Sequence, residues 1–198
     1  MEKIILASQS PRRKQLLDWA EVPFMAITAN TDEAIPEGVA IEEVPIHIAM
    51  EKALVVKEKL QEYEEGRQTL PPNAPILAAD TVVVLGNEII GKPSNRDNAV
   101  EILSKLSGKT HRVITGVVIL HGDNKVEFYD STEVLFYDLT LDQIEFYVDN
   151  YKPYDKAGAY AIQEWIGVVG IRKVTGDFYN VMGLPVARVI RELEKLSS

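Results

Sequence analysis

The chain has 198 residues, a net charge of −9, 46% hydrophobic and 26% charged residues, and no cysteine. That length suits one large domain or two intimate lobes with a sizeable core, and the missing thiols exclude disulfides, thiolate metal sites and a cysteine nucleophile. The acidic balance makes the chain a poor candidate for coating a nucleic acid backbone, which needs many Lys and Arg, but leaves room for a small anion held by a local basic cluster or by a carboxylate-bound metal.

In chain order, residues 3–7 read as a short buried strand, and Ser10-Pro11 opens a helix, with Ser10 as N-cap and Pro11 in the first turn. Leu16, Leu17 and Ala20 give that helix its apolar face, and residues 22–28 form a second strand. Residues 45–63 read as a long amphipathic helix with Ile48, Leu54, Val55 and Leu60 inward. Residues 64–75, with Gly66 and three prolines, read as an exposed loop. Residues 76–85 are a strongly apolar strand interrupted by Asp80 and Thr81, and Asn87 lies in the turn after it. A helix follows over 95–106. Residues 110–121 and 125–137 then form two long strands joined at Gly122-Asp123-Asn124. A helix over 141–148, a strand over 168–174 and a last helix from Pro185, with Leu193 and Leu196 inward, complete the chain. Strands alternating with helices, plus one long hairpin, predict an α/β fold with a mixed sheet. No stretch approaches the ~20 apolar residues of a membrane span, and the opening residues lack the basic and apolar regions of a signal peptide. A cytoplasmic protein with no membrane or nucleic acid partner is expected.

Several short segments carry chemistry. Ser8-Gln9-Ser10-Pro11-Arg12-Arg13 follows a strand and opens a helix, so it offers hydroxyls, backbone N–H groups and a positive helix end to an anion, with an arginine for bidentate phosphate contact. The blander alternative is a capped helix with two solvated arginines. Asp80 lies in so apolar a strand that its charge needs a partner or a metal; an Asp bonded to backbone amides is the alternative. Lys92 in Gly91-Lys92-Pro93 is a compact charge in a tight turn. Gly108-Lys109-Thr110 resembles the end of a phosphate-binding P-loop but lacks the first glycine and precedes a strand, which excludes that reading. In the segment from Asp155 to Gln163 small residues permit close backbone approach, and Gln163 has the donor and acceptor that read a base edge; a tight turn packed on the core is the alternative. Asp32-Glu33 could join Asp80 around a divalent ion, or form a solvated acidic loop. His47, His111 and His121 have no metal-ligand spacing, and there is no Gly-x-Ser-x-Gly nucleophile elbow.

Together these segments resemble the Maf family, the septum-formation-inhibitor-like proteins. The matching pieces run from Leu6-Ala7-Ser8-Gln9-Ser10-Pro11-Arg12-Arg13 through Ala78-Ala79-Asp80-Thr81, Gly91-Lys92-Pro93, Ser107-Gly108-Lys109-Thr110-His111 and Lys156-Ala157-Gly158-Ala159-Tyr160 with Gln163, to Tyr179-Asn180-Val181-Met182-Gly183-Leu184-Pro185. They stand in the family's order over nearly the whole chain. The resemblance implies one Maf-like domain over 1–198, two lobes of mixed sheet around a central cleft, related to the inosine triphosphate pyrophosphatase architecture and usually a homodimer. It implies hydrolysis of a nucleoside triphosphate between the α and β phosphates with a divalent cation, Mg or Mn. By position, Asp80 would be the catalytic base and a metal ligand, Glu33 a second metal ligand, and Arg13, Lys52 and Lys92 contacts to the triphosphate, with Ser8 and Ser10 nearby. Arg12, Thr81 and Gln163 match the subgroup specific for dTTP and UTP. The subgroup acting on 7-methyl-GTP would carry Gln after the Asp and Glu in place of Gln163; a glutamate is acceptor-only and suits a donor-rich purine edge. Two positions depart from the family pattern: Lys152-Pro153 stands where Glu-Pro is usual, reversing a charge, and Ala161 replaces a glycine. The competing readings are a nucleotide-binding regulator of septum formation without turnover, and a purine-directed pyrophosphatase.

Overall fold

The computed structural model describes residues 2–31, 38–65 (backbone alone for 61–65) and 73–196. The elements in order are β1 (Ile4–Leu6), α1 (Pro11–Trp19), β2 (Phe24–Ala26), α2 (Val44–Glu65), β3 (Ile76–Leu85), β4 (Glu88–Ile90), α3 (Arg96–Leu106), β5 (Thr110–His121), β6 (Asn124–Phe136), α4 (Leu141–Tyr151), α5 (Trp165–Gly170), β7 (Ile171–Thr175), α6 (Phe178–Met182) and α7 (Val186–Leu196). A 3-10 turn covers Ala157–Ala159. Among the described residues the strands form a seven-stranded mixed sheet in the order β2-β1-β3-β5-β6-β7, with β4 paired to β3. This is the α/β mixed-sheet fold expected. Among the described residues no helix is long and apolar enough to cross a membrane.

The chain divides into two compact units. The first comprises residues 1–80, 115–130 and 183–198. In it β1 runs parallel to both β2 and β3, with Ile4 opposite Phe24 and Leu6 opposite Leu77. Ile5, Ala7, Ile76, Ala78, Val118 and Leu120 form one core cluster with Ala49, Ala53 and Val56 of α2. The inward face of α2 is therefore Ile48, Ala49, Lys52, Ala53 and Val56, and Leu54, expected inside, is 47% exposed. Small side chains let this helix approach the sheet closely. Gly116 of β5 shows how closely: a Cβ there would overlap the Pro45–Ile46 peptide at the start of α2. The hairpin tip is the two-residue turn Gly122-Asp123, one residue shorter than expected.

The second unit comprises residues 81–114 and 131–182. Here β3 pairs antiparallel with β4, and β6 antiparallel with β7. Asn95 caps α3 by accepting from the Asn98 N–H at 2.9 Å. Thr140 and Gln143 form a reciprocal capping box on α4. The strand expected over 168–174 is split: Val168–Gly170 belong to α5, and β7 begins at Ile171. The Glu164 carbonyl accepts from Gly167 and Val168 N–H groups, which winds the chain, and Val168 is 81% exposed, so its β-branched side chain has no pleated surface to cover. The loop expected over 64–75 begins later, because α2 continues to Glu65; residues 66–72 lie outside the described residues.

Candidate active site

In the first unit, β1 ends at Leu6 and the segment from Ala7 to Ser10 leads to α1. The Ser10 hydroxyl accepts from Arg13 N–H at 3.5 Å, and Pro11, which has no N–H to leave unpaired, occupies the first turn. Ser8 Oγ accepts from the Ser10 N–H at 3.2 Å and from Arg13 Nη1 at 3.3 Å. Arg13 Nε donates to the Gly183 carbonyl at 2.8 Å, 170 residues away in sequence. Arg13 is thus buried and held by two neighbours, not solvated, while Arg12 is half-buried. Ser8, Ser10 and Arg13, neighbours in one segment of the sequence, form one hydrogen-bonded cluster at a helix N-terminus, where backbone amides and the helix dipole favour an anion.

Asp80, midway along β3, meets Lys52 of α2: Nζ donates to Oδ1 at 2.7 Å, with side-chain exposures of 9% and 13% for the lysine and aspartate. The charge that the apolar strand could not carry alone is therefore paired, as burial requires. The lysine reaches it because α2 turns its alanine face to the sheet, which also turns Lys52 inward. Glu33 and Asp32 lie outside the described residues. Among the described residues no three His, Asp or Glu side chains gather as a metal centre. Asp80 supplies one hard oxygen donor, and Mg commonly takes only one or two carboxylates beside substrate phosphates, so this residue fits a share of such a site.

In the second unit, Thr81 is half-buried, next to Asp80 in β3, and Lys92 is exposed in the turn after β4. The Gly91 carbonyl accepts from the Gly158 N–H at 3.1 Å. Gly158 has φ +69°, and a Cβ on it would come within 3.0 to 3.2 Å of Val83. The small residues of this segment therefore serve close packing on β3, and they tie it to the turn that carries Lys92. Gln163 is exposed at a turn just before α5. Of the two departures from the family pattern, Lys152 is an exposed C-cap of α4 in the left-handed conformation, φ +47°, and Ala161 is buried, its N–H donating to the Tyr147 hydroxyl at 3.1 Å.

Several buried polar groups received no individual role from the sequence. Lys156, only 8% exposed, pairs with Asp155 at 2.7 Å and Glu164 at 3.6 Å, and Tyr147 donates to Glu164. Asn180, fully buried in the segment before Gly183, donates to the Val113 carbonyl and to Thr132 Oγ1, both at 3.0 Å. His111 is buried against Phe136 and Tyr160, and its Nε2 lies 2.8 Å from the Tyr160 hydroxyl. Burial pushes the His111 imidazole down to about 4 and the Tyr160 phenol upward. A lysine inside a run of small residues was the one signal available in sequence; Tyr147 lies on another helix and gave none.

The sequence profile of the family described as Maf-like protein matches residues 3–196. A dTTP/UTP pyrophosphatase of Cytophaga hutchinsonii is 48% identical over 193 residues, covering 98% of this chain and 84% of its own length. Proteins with the same description from Phocaeicola vulgatus and Bacillus cereus are 46% and 43% identical over 195 residues, each covering 98% of this chain and 96% of their own length. Among solved structures, the Ham1 protein of Staphylococcus aureus gives a TM-score of 0.38 at 14% identity, over 69% of this chain and 73% of its own.

Proposed function

From the premise that this chain belongs to the Maf family, we propose that it is a nucleoside triphosphate pyrophosphatase that hydrolyses dTTP and UTP to the monophosphate and pyrophosphate. The observation that carries this reading is the Lys52–Asp80 pair: a carboxylate held in an apolar strand by a lysine, in a chain 43–48% identical to proteins described as dTTP/UTP pyrophosphatases. Lys52 holds Asp80 Oδ1, and Oδ2 is the oxygen assigned to take the proton from the attacking water. The water oxygen bonds to the α phosphorus as the bond to the β-phosphate oxygen breaks, and negative charge grows on the leaving pyrophosphate. Arg13, held by Gly183 and Ser8, contacts the phosphates with its guanidinium, assisted by Arg12, Lys52, Lys92 and the hydroxyls of Ser8 and Ser10. Asp80 with Glu33 would hold a divalent cation, Mg or Mn, which when bound supplies positive charge at the phosphates. Thr81 and Gln163 are assigned to the pyrimidine, Gln163 because its amide offers one donor and one acceptor to a uracil or thymine edge. The proposal includes a cytoplasmic homodimer that takes free nucleotides.

Pyrophosphate release from the canonical nucleoside triphosphates and 7-methyl-GTP, with Mg and with Mn, tests it. Wild type is expected to turn over dTTP and UTP, and Asp80→Asn to lose about 10²- to 10⁴-fold, the usual worth of a general base, with circular dichroism confirming a folded variant. A folded wild type that binds nucleotide and releases nothing would sink the enzyme reading in favour of a regulatory binder.

A further inference from the structure

We infer that the Tyr147 hydroxyl is a positioning group for Gln163 and so helps set which base the protein accepts; this rests on the proposed role of Gln163 in reading the pyrimidine. Residues 161–164 form a four-residue turn, closed by the Glu164 N–H donating to the Ala161 carbonyl at 3.1 Å. Gln163 is its third residue and is exposed. Tyr147, on α4 and fully buried, bonds both ends of this turn with one oxygen. It accepts from the Ala161 N–H at 3.1 Å and donates to Glu164 Oε2. A phenol has one donor and the acceptor capacity to match, so a single hydroxyl can clamp the turn across its mouth.

The clamp is backed from two sides. Lys156 Nζ sits 3.6 Å from Glu164 Oε1, so the carboxylate that accepts the tyrosine hydrogen bond is also anchored by a cation that is nearly buried. Behind the turn, Gly167 packs against the Ile162 carbonyl so tightly that a Cβ would overlap it. The Tyr147 ring is itself fixed by stacking on Tyr151, with centroids 5.0 Å apart and planes at 22°. The result is an exposed glutamine whose chain neighbours on both sides are anchored, while its own side chain remains at the surface.

That arrangement matters for recognition. A glutamine amide can present donor and acceptor in either order, so by flipping it can satisfy a uracil or a cytosine edge. Selectivity then depends on which base atoms fall within its reach, and reach depends on where the backbone holds the residue. A turn loosened by removal of the clamp lets the amide follow other bases.

The test compares kcat and KM for UTP, CTP and GTP in wild type, Tyr147→Phe, Glu164→Gln, Gln163→Ala and Val189→Ala. Tyr147→Phe removes one oxygen and keeps the stacked ring. It loses both hydrogen bonds of the hydroxyl and is expected to raise KM for UTP and to reduce the UTP/CTP and UTP/GTP ratios of kcat/KM by roughly three- to tenfold, on the order of the net contribution of a hydrogen bond, with kcat little changed. Glu164→Gln retains an acceptor for the tyrosine and should keep most of the preference. Val189, buried in α7, is a control that loses stability by a cavity and should keep the ratios. Equal loss of preference in Val189→Ala, or none in Tyr147→Phe while Gln163→Ala loses it, would overturn the positioning role alone. Unchanged ratios in Gln163→Ala would overturn the base-reading role and this inference with it. Should Tyr147→Phe fail to fold, Glu164→Ala asks the same question: retained preference there refutes the clamp, and lost preference supports it.

Discussion

Lys52 and Asp80 are each too well covered to stand alone. With side-chain exposures of 9% and 13%, loss of Lys52 leaves the Asp80 carboxylate poorly hydrated and without this cation. Lys52→Met should therefore cost about 3 kcal/mol, the lower end for a buried pair because both groups keep some contact with water. Asp80→Asn should also cost stability, which is why its loss of turnover has to be read beside its unfolding curve. The double variant decides the point. If the pair is as the geometry shows, Lys52→Met/Asp80→Asn is more stable than the sum of the single losses by about 0.5–3 kcal/mol in urea unfolding. Strict additivity would mean that the two charges do not depend on one another. The buried Arg13 is anchored in a related way: its guanidinium donates to the Gly183 carbonyl and to the Ser8 hydroxyl.

Elements take their positions from small residues as much as from large ones. Helix α2 approaches β5 at Gly116, where a Cβ would overlap the Pro45–Ile46 peptide. Gly116→Ala should push the start of α2 outward and cost roughly 1–3 kcal/mol, as overpacking does, with turnover falling because Lys52 rides on that helix. Gly91→Ala is the contrast. Nothing lies within 4 Å of a Cβ at Gly91, so its effect on the urea midpoint should stay within about 0.5 kcal/mol. A Gly116→Ala protein as stable as wild type would show that α2 is not held as tightly as drawn. Packing of α3 on α4 is sealed differently: Arg96 forks onto Asp149, with Nε donating at 2.6 Å and Nη2 at 2.9 Å, and this hydrogen-bonded pairing lowers the Asp149 carboxyl below its usual range.

At the scale of the whole molecule, stability depends on pH through His111. Its imidazole falls from 6.5 to about 4 on folding because burial disfavours the charged form. Between those values the unfolded chain binds a proton that the folded chain refuses. Folding stability is thus complete above pH 6.5 and declines as pH falls toward 4, by up to roughly 3 kcal/mol. Urea unfolding across pH 4–7 should show this slope in wild type and a flatter one in His111→Gln; identical slopes would remove His111 as the cause. Two compact units need not unfold together. Trp19 lies in one and Trp165 in the other, so single-tryptophan variants report each separately, and the His111 effect should appear first in Trp165.

Local rules made much of this protein legible from its residues. Ser10-Pro11 announces its helix because capping is satisfied within a few residues, and the apolar runs 76–85 and 110–121 reappear as β3 and β5 because their apolar character is written along the chain. The family's ordered motifs identified the class, and Asp80 stood out as a charge its strand could not hold unaided. What the sequence could not decide were matters of distance between remote residues. Which face of α2 turns inward depended on the sheet it met, so Leu54 is outside and Lys52 inside. Whether 168–170 would be strand or helix depended on the Glu164 carbonyl and the room beside Gly167. Lys52 found Asp80, Arg13 found Gly183, and Tyr147 found the turn of Gln163 through side-chain contacts between segments far apart in the chain. Those contacts depend on packing, which periodicity and propensity do not encode; tertiary structure alone brings such groups within hydrogen-bond reach.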